Sequence, residues 1–189
     1  MKKFDLVNAT TVAGAVSALG MGNAKVIAGG TDLLTVMKDR IHPTYPEKLV
    51  DIKTIPGLDS IKEEAGVLKI GALTTLSDIA DDSTIKSQYT ALAQAARAVA
   101  TPQIRSMGTI AGNLCQEVRC WYYRAPKNYF YCFLKGGLLC FAATGDSRYN
   151  AIIGSKVCFS ACPSDTAIAL GALNATIVTN KRDIPIDDF

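Results

Sequence analysis

The residues with the most chemistry in them are six cysteines, and they are unevenly placed. Cys115, Cys120, Cys132, Cys140, Cys158 and Cys162 fall within one 48-residue window of a 189-residue chain, and the first 114 residues contain none. Six cysteines in a chain of this length are too few for a disulfide-stapled secreted scaffold, and Asp5 interrupts the apolar run a signal peptide would need after Lys2 and Lys3. Reduced thiols gathered in one window point to one local site. The intervals separating Cys120, Cys132, Cys140 and Cys158 are 11, 7 and 17 residues, which are loops rather than C-x-x-C knuckles. Four thiolates brought together by loops can hold a [4Fe–4S] cluster or a structural zinc ion, and the same spacing also suits buried, redox-inert thiols. The lack of a C-x-x-C pair and of a nearby histidine weighs against a zinc ribbon. Cys115 and Cys162 are left over. Trp121, Tyr122, Tyr123, Tyr129, Phe130, Tyr131, Phe133 and Phe141 crowd the same window, where they would shield a redox centre from water or pack the loop on itself. His42 is the only histidine, so no Ser–His–Asp or Cys–His catalytic set can be drawn, and a lone exposed histidine is the plain reading of it.

A second kind of chemistry lies in two glycine-bearing turns. Lys25-Val26-Ile27-Ala28 reads as a strand that runs into Gly29-Gly30, and a helix follows from Thr31 through Lys38. Unpaired N–H groups and a partial positive charge at a helix start, approached through glycines, make an anion cradle; a plain turn capped by Thr or Asp explains the same residues. Neither the G-x-G-x-x-G fingerprint nor a P-loop lysine is present. Gly108-Thr109-Ile110-Ala111-Gly112-Asn113 forms the second turn.

The elements that must position these groups alternate in type. An amphipathic helix is expected between Asn8 and Gly20, strands at Lys48–Ile52 and Val67–Ala72, and helices at Leu76–Ala80 and Ala91–Val99, the latter closed by Thr101-Pro102. Ser164-Asp165 should cap an apolar helix through Leu173, followed by a strand at Ala175–Thr179. Pro56-Gly57 marks a boundary between two lobes. With 49% hydrophobic residues and a net charge of +3 without blocks of like charge, the chain is expected to be a globular, cytoplasmic protein. No dedicated nucleic-acid surface is expected, and no stretch is apolar for long enough to span a bilayer.

Three segments taken together, Ala28–Leu33, Gln103–Asn113 and Pro163–Thr166, resemble the FAD-binding medium subunit of the xanthine oxidase-type molybdenum hydroxylases, and the likeness runs over essentially the whole chain. Arg119-Cys120-Trp121-Tyr122-Tyr123 and the later cysteines resemble the branch with an inserted [4Fe–4S] loop, as in the 4-hydroxybenzoyl-CoA reductase flavoprotein subunit and some bacterial aldehyde and xanthine dehydrogenases. The resemblance implies an α+β, two-lobed FAD-binding domain of the PCMH type. Residues 1–55 would form the first lobe and 56–189 the second, with a cluster-binding insertion at about 115–160. It also implies a separate C-terminal domain beyond Asp187-Asp188-Phe189, so that the chain is truncated or that domain is another chain.

Carried over residue by residue, the resemblance implies that Val26, Ile27, Ala28, Gly29, Gly30, Thr31, Asp32 and Leu33 cradle the FAD pyrophosphate with backbone N–H groups. Thr109, Gly112 and Asn113 would form a second phosphate and ribityl contact, and Asp165 would bond the sugar-alcohol region. Cys120, Cys132, Cys140 and Cys158 would hold the [4Fe–4S] cluster. Ala111 departs from the family, which often has glycine there; if that backbone needs φ > 0, the loop must adjust. The implied function is an electron-transfer flavoprotein subunit, working with a molybdenum-cofactor large subunit and a [2Fe–2S] small subunit, with no substrate turnover of its own. The alternative is a zinc-stabilised structural or binding module without flavin. A stand-alone oxidase of the covalent-flavin fold would need an anchoring histidine or cysteine near the phosphate loop, with His42 the sole histidine.

Overall fold

The computed structural model describes residues 1–189. Its first part is a three-stranded parallel sheet built from β1 (Asp5–Asn8), β2 (Ala24–Ile27) and β3 (Lys48–Asp51), in the order β1-β3-β2. The last strand in sequence lies in the middle, so Val7 and Val26 flank Val50 from opposite sides. Leu49 and Val50 are fully buried, as a central parallel strand covered on both faces requires. The crossovers are helical: α1 (Val12–Leu19) joins β1 to β2, and α2 (Leu33–Asp39) joins β2 to β3. Thr11 caps α1 by accepting from the Gly14 N–H at 3.0 Å, and Ala15 and Ala18 pack from its inner face onto Ala9, Val50 and Ile55. Asn8, expected to open that helix, instead ends β1.

After the Pro56-Gly57 turn the chain makes an antiparallel hairpin, β4 (Ile61–Glu64) with β5 (Val67–Ile70), where a single strand was expected. Ala65 (φ 51°) and Gly66 (φ 76°) both take positive φ, which lets so tight a connection follow the strand twist. Helices α3 (Leu76–Asp81), α4 (Ser83–Gln88), α5 (Thr90–Ala98), α6 (Pro102–Arg105) and α7 (Ile110–Leu114) follow. Each short helix from α3 to α7 except α5 begins at a Thr or Asp that accepts a hydrogen bond from the N–H three residues on: Thr75, Asp82, Thr101 and Thr109. Leu76, Ile79, Ile85, Leu92, Ala96 and Ile110 bury themselves against Ala169 and Leu170 of a later helix.

Between α8 (Trp121–Arg124) and α9 (Asp165–Ala172) regular structure shrinks to three-residue 3-10 turns at Pro126–Asn128, Phe133–Lys135 and Phe141–Ala143. This cysteine-rich segment packs on the end of α2, where Tyr123 and Cys132 close a small core with Val36 and Ile41. A final antiparallel pair, β6 (Thr176–Val178) and β7 (Asp183–Pro185), completes the mixture of helix and sheet. No helix is long and apolar enough to cross a membrane.

Candidate functional site

The two glycine turns meet. Gly30, at φ 71°, swings the chain from β2 into α2. The second turn is stitched to the segment before α3 by Leu76 N–H donating to the Gly108 carbonyl and Ile110 N–H to the Thr74 carbonyl, each at 2.9 Å. Gly29 presses so closely on this turn that a Cβ there would lie 1.8 Å from the Met107 carbonyl oxygen. Only glycine permits that approach.

A cavity of about 460 Å³ opens along the junction. Lys25 to Leu33 form one wall, and Gly108, Thr109, Ala111, Gly112 and Asn113 the other. Ile52, Leu76, Val99 and Ile104 supply apolar surface, while Gln116, Glu117 and Arg119 supply polar groups. Val26, Ile27, Ala28, Gly29, Gly30, Thr31, Asp32, Leu33, Thr109, Gly112 and Asn113, expected from two motifs about 80 positions apart, therefore line one cavity. The N–H groups of Gly29, Gly30, Thr31 and Asp32 donate to no other group of the chain, leaving a run of free donors at the start of α2. Such a run suits the oxygens of a diphosphate. Ala111 lies within α7 with ordinary helical backbone, so the alanine needs no adjustment of the loop.

The side chains of three expected site residues have partners or positions the sequence did not indicate. Asp165 is exposed in the first turn of α9 and outside the cavity; its neighbour Ser164 is the cap, accepting from Ala167 N–H at 3.0 Å. Asn113 lines the cavity, but one end of its side chain is already engaged. Its Oδ1 accepts from the hydroxyls of Ser164 and Thr166, both at 2.7 Å, in a fully buried cluster that pins α7 to α9. Asp32 lines the cavity, but its carboxylate is taken. Oδ1 receives Arg119 Nη1 at 2.5 Å and Arg124 Nη2 at 2.8 Å, and Oδ2 receives the Glu117 N–H at 2.9 Å. This is also why Asp32, at the start of α2, makes no side-chain cap bond. Burial would raise the Asp32 carboxyl, but the Glu117 N–H and the two guanidiniums outweigh it and hold it below the ordinary carboxylate range.

His42 is not a lone exposed histidine. Its Nε2 lies 2.7 Å from Glu117 Oε1, and the Tyr123 hydroxyl donates to Glu117 Oε2 at 2.9 Å. Burial opposes ionisation of Glu117, yet the His42 and Tyr123 contacts and Arg124 bring its carboxyl down; burial and the same carboxylate push the Tyr123 phenol up. Nothing in the sequence pairs residues 42, 117 and 123, because the contact depends on how the window folds back onto α2.

Glu117 faces the large cavity and Tyr123 faces a second, small pocket. Cys120, Cys132, Cys140 and Cys158 all line that pocket, together with Tyr122, Tyr123, Phe133, Leu134, Phe141 and Ser160. Cys115 lines the large cavity instead, and Cys162 lines neither. Asn150 Nδ2 lies 3.6 Å from Cys120 Sγ, and Ser160 Oγ lies 3.2 Å from Cys158 Sγ. No group of three or more His, Cys, Asp or Glu converges as ligands of a single ion, so the zinc-stabilised module gains no support. The aromatic shield is partial. Tyr122, Phe130 and Phe141 pack with centroids 5.0–6.1 Å apart, but Tyr129 is 79% exposed and Trp121 55%. Lys135, three residues after Cys132 and outside the pocket lining, is only 6% exposed, its Nζ donating to the carbonyls of Tyr123 (3.1 Å) and Ile41 (3.4 Å).

Known proteins resemble this chain. Residues 2–189 match the family described as the FAD binding domain in molybdopterin dehydrogenase. The whole chain is 38% identical to the aldehyde oxidoreductase FAD-binding subunit PaoB of Escherichia coli, covering 61% of that protein. It is 39% identical over 114 residues to the carbon monoxide dehydrogenase medium chain of Hydrogenophaga pseudoflava, which is 59% of this chain and 39% of that one. Among solved structures, carbon monoxide dehydrogenase from Hydrogenophaga pseudoflava lacking the Mo-pyranopterin moiety of the molybdenum cofactor superposes with a TM-score of 0.56 at 38% identity, over 59% of this chain and 39% of that one. Quinoline 2-oxidoreductase from Pseudomonas putida gives a TM-score of 0.56 at 30% identity, over 60% and 40%. The chain thus spans about two fifths to three fifths of the length of these relatives. By that match over residues 2–189, the chain belongs to the FAD-binding domain family of molybdopterin dehydrogenases.

Proposed function

We propose that the chain binds FAD noncovalently between its two glycine turns and acts as the electron-transfer flavoprotein part of a multi-subunit oxidoreductase. The observation that carries the reading is the convergence of Gly29–Thr31, with its free N–H groups, and Gly108–Asn113 on one cavity of about 460 Å³. That volume and its mixed lining suit a dinucleotide-sized cofactor. FAD, when bound, supplies the one- and two-electron chemistry. The chain's own residues do the rest: the free N–H groups hold phosphate oxygens, Thr109 keeps its turn fixed by capping α7, and Leu76, Val99 and Ile104 exclude water from the apolar wall.

In the same reading Cys120, Cys132, Cys140 and Cys158 hold a [4Fe–4S] cluster. What supports this part of the reading is the set of four soft sulfur donors around one largely apolar pocket. The partners in the reading are a molybdenum-cofactor large subunit and a [2Fe–2S] small subunit; substrate chemistry belongs to the former, and this chain moves electrons onward to an external carrier.

The test is an anaerobic ultraviolet–visible spectrum of the purified chain, before and after dithionite, with flavin, iron, sulfide and zinc quantified on the same sample. About one FAD with four iron and four sulfide, bleaching on reduction, is the expected result. Flavin without iron would leave the FAD reading and remove the cluster. A colourless chain that gains no flavin on titration with FAD would end both.

A further inference from the structure

Lys25, Asp32, Glu117 and Arg119 are the charged residues that line the cavity between the glycine turns. Both carboxylates are engaged within the chain, Asp32 by Arg119, Arg124 and the Glu117 N–H, and Glu117 by His42 and Tyr123. An ionised carboxylate beside Gly30 and Thr31 would repel a diphosphate unless a cation offset it. Arg119 is that cation on the cavity side. Its Nη1 donates to Asp32 Oδ1 and its Nη2 to Gln116 Oε1, both at 2.5 Å. The side chain is nonetheless 56% exposed, so the guanidinium keeps donors to spare where it lines the cavity. Arg124, the other guanidinium on Asp32, is 16% exposed and does not line the cavity. Lys25 lines it but makes no ion pair that would fix its ammonium.

We infer that Arg119 is a further cofactor-binding residue, which holds a phosphate oxygen of the FAD diphosphate and, by pairing with Asp32, offsets the carboxylate next to the glycine turn. The inference rests on the FAD reading above and adds to it a residue from neither glycine turn. Arg119 stands 87 positions from Asp32 and arrives with the cysteine window. A guanidinium fixed by two acceptors presents its remaining N–H groups in a set plane, which suits phosphate oxygens better than a free ammonium does. Backbone N–H groups bring donors without net charge; Arg119 brings both.

The experiment is a titration of the whole chain, freed of flavin, with FAD, followed by flavin fluorescence at low and high sodium chloride, for the wild type, Arg119→Gln, Arg119→Lys and Lys127→Gln. Arg119→Gln should bind FAD about tenfold more weakly at low salt, the worth of one charge-assisted hydrogen bond. Its loss of affinity on adding salt should be smaller than in the wild type, because the charge that salt screens is gone. Arg119→Lys keeps the charge and should recover most of the affinity and of the salt dependence. Lys127→Gln removes an exposed charge outside the cavity and should change neither. With Asp32 still held by Arg124 and the Glu117 N–H, the Arg119→Gln chain should fold; far-ultraviolet circular dichroism checks this, and Arg119→Met takes its place if it does not. Wild-type affinity in the neutral variant overturns the inference and leaves the FAD reading intact. So does a weakened affinity with the wild-type salt dependence in both Arg119 variants, the mark of a strut that only holds the window in place. An equal loss in Lys127→Gln overturns it as well, by making net charge the cause. A wild-type chain that takes up no FAD overturns the FAD reading and the inference with it.

Discussion

Asp32 and Arg124 stand 92 positions apart and meet at 2.8 Å, with both side chains more than four-fifths buried. The pair joins the glycine turn at the head of α2 to the helix that follows Cys120. Arg124 also donates from Nη2 to the Glu117 carbonyl (2.6 Å) and from Nε to the Val118 carbonyl (2.8 Å), so one guanidinium shapes the entry to the cysteine window while anchoring it. Asp32→Asn should cost about 3 kcal/mol of stability, because it strands a largely buried guanidinium. Chemical denaturation should show the loss. Limited proteolysis should cut the segment after Arg119 sooner than in the wild type.

Acid should loosen the same junction. Asp32 and Glu117 both have depressed carboxyl pKa values in the fold, so their stabilisation is fully present above the unfolded value of about 4 and is lost as pH falls through the folded values. A melting temperature that is flat from about pH 7 to 5 and falls below about pH 4 is expected, with a smaller fall in Asp32→Asn. An equal fall in the variant would remove Asp32 from the cause.

Gly29→Ala tests the contact between the two glycine turns. A methyl group 1.8 Å from the Met107 carbonyl oxygen cannot be accommodated without moving backbone. The turns must separate, at a cost of roughly 1–3 kcal/mol. FAD affinity, followed by quenching of flavin fluorescence, should fall at least tenfold, whereas Gly20→Ala, whose Cβ would meet nothing nearer than 3.5 Å, should leave it unchanged.

Asn113→Ala should destabilise more than its size suggests. It removes the acceptor shared by the Ser164 and Thr166 hydroxyls, which are 1% and 0% exposed, and unsatisfied buried donors cost about 1–3 kcal/mol each. Urea unfolding would read this directly. Asp165→Asn, exposed and outside the cavity, should change FAD affinity less than threefold.

Single Cys→Ser changes should separate the thiols into two sets. Replacing Cys120, Cys132, Cys140 or Cys158 should remove most of the iron while leaving bound FAD. Replacing Cys162 should remove neither, and replacing Cys115, which lines the cavity, should affect only FAD. Iron and flavin content of the same preparations are the measurements.

What the sequence makes readable is local. Thr11, Ser164 and the Gly29-Gly30 turn announce elements within a few residues of themselves, and α1, α2 and α9 lie where such signals put them, to within a few residues. β1 was hidden because Asp5–Asn8 is short and half exposed, earning its place only by pairing with β3. The β4–β5 hairpin was hidden by its turn, since Ala65 at positive φ is not a residue that advertises one. The roles of side chains in the site were least legible. Asp32 looks like a helix cap or ligand until Arg119 and Arg124 arrive from 87 and 92 positions away, and Lys135 looks like a surface lysine until the window closes over it.

Asn113 and Ser164 are 51 positions apart, yet their side chains touch. Everything between them is an excursion whose two feet are already fastened to each other. Swapping it for a longer or shorter one is cheap in chain entropy, about 0.6 kcal/mol for each doubling of length. Such a trade would leave the Asp32 carboxylate, the His42 ring and the apolar Val36 and Ile41 in need of new companions.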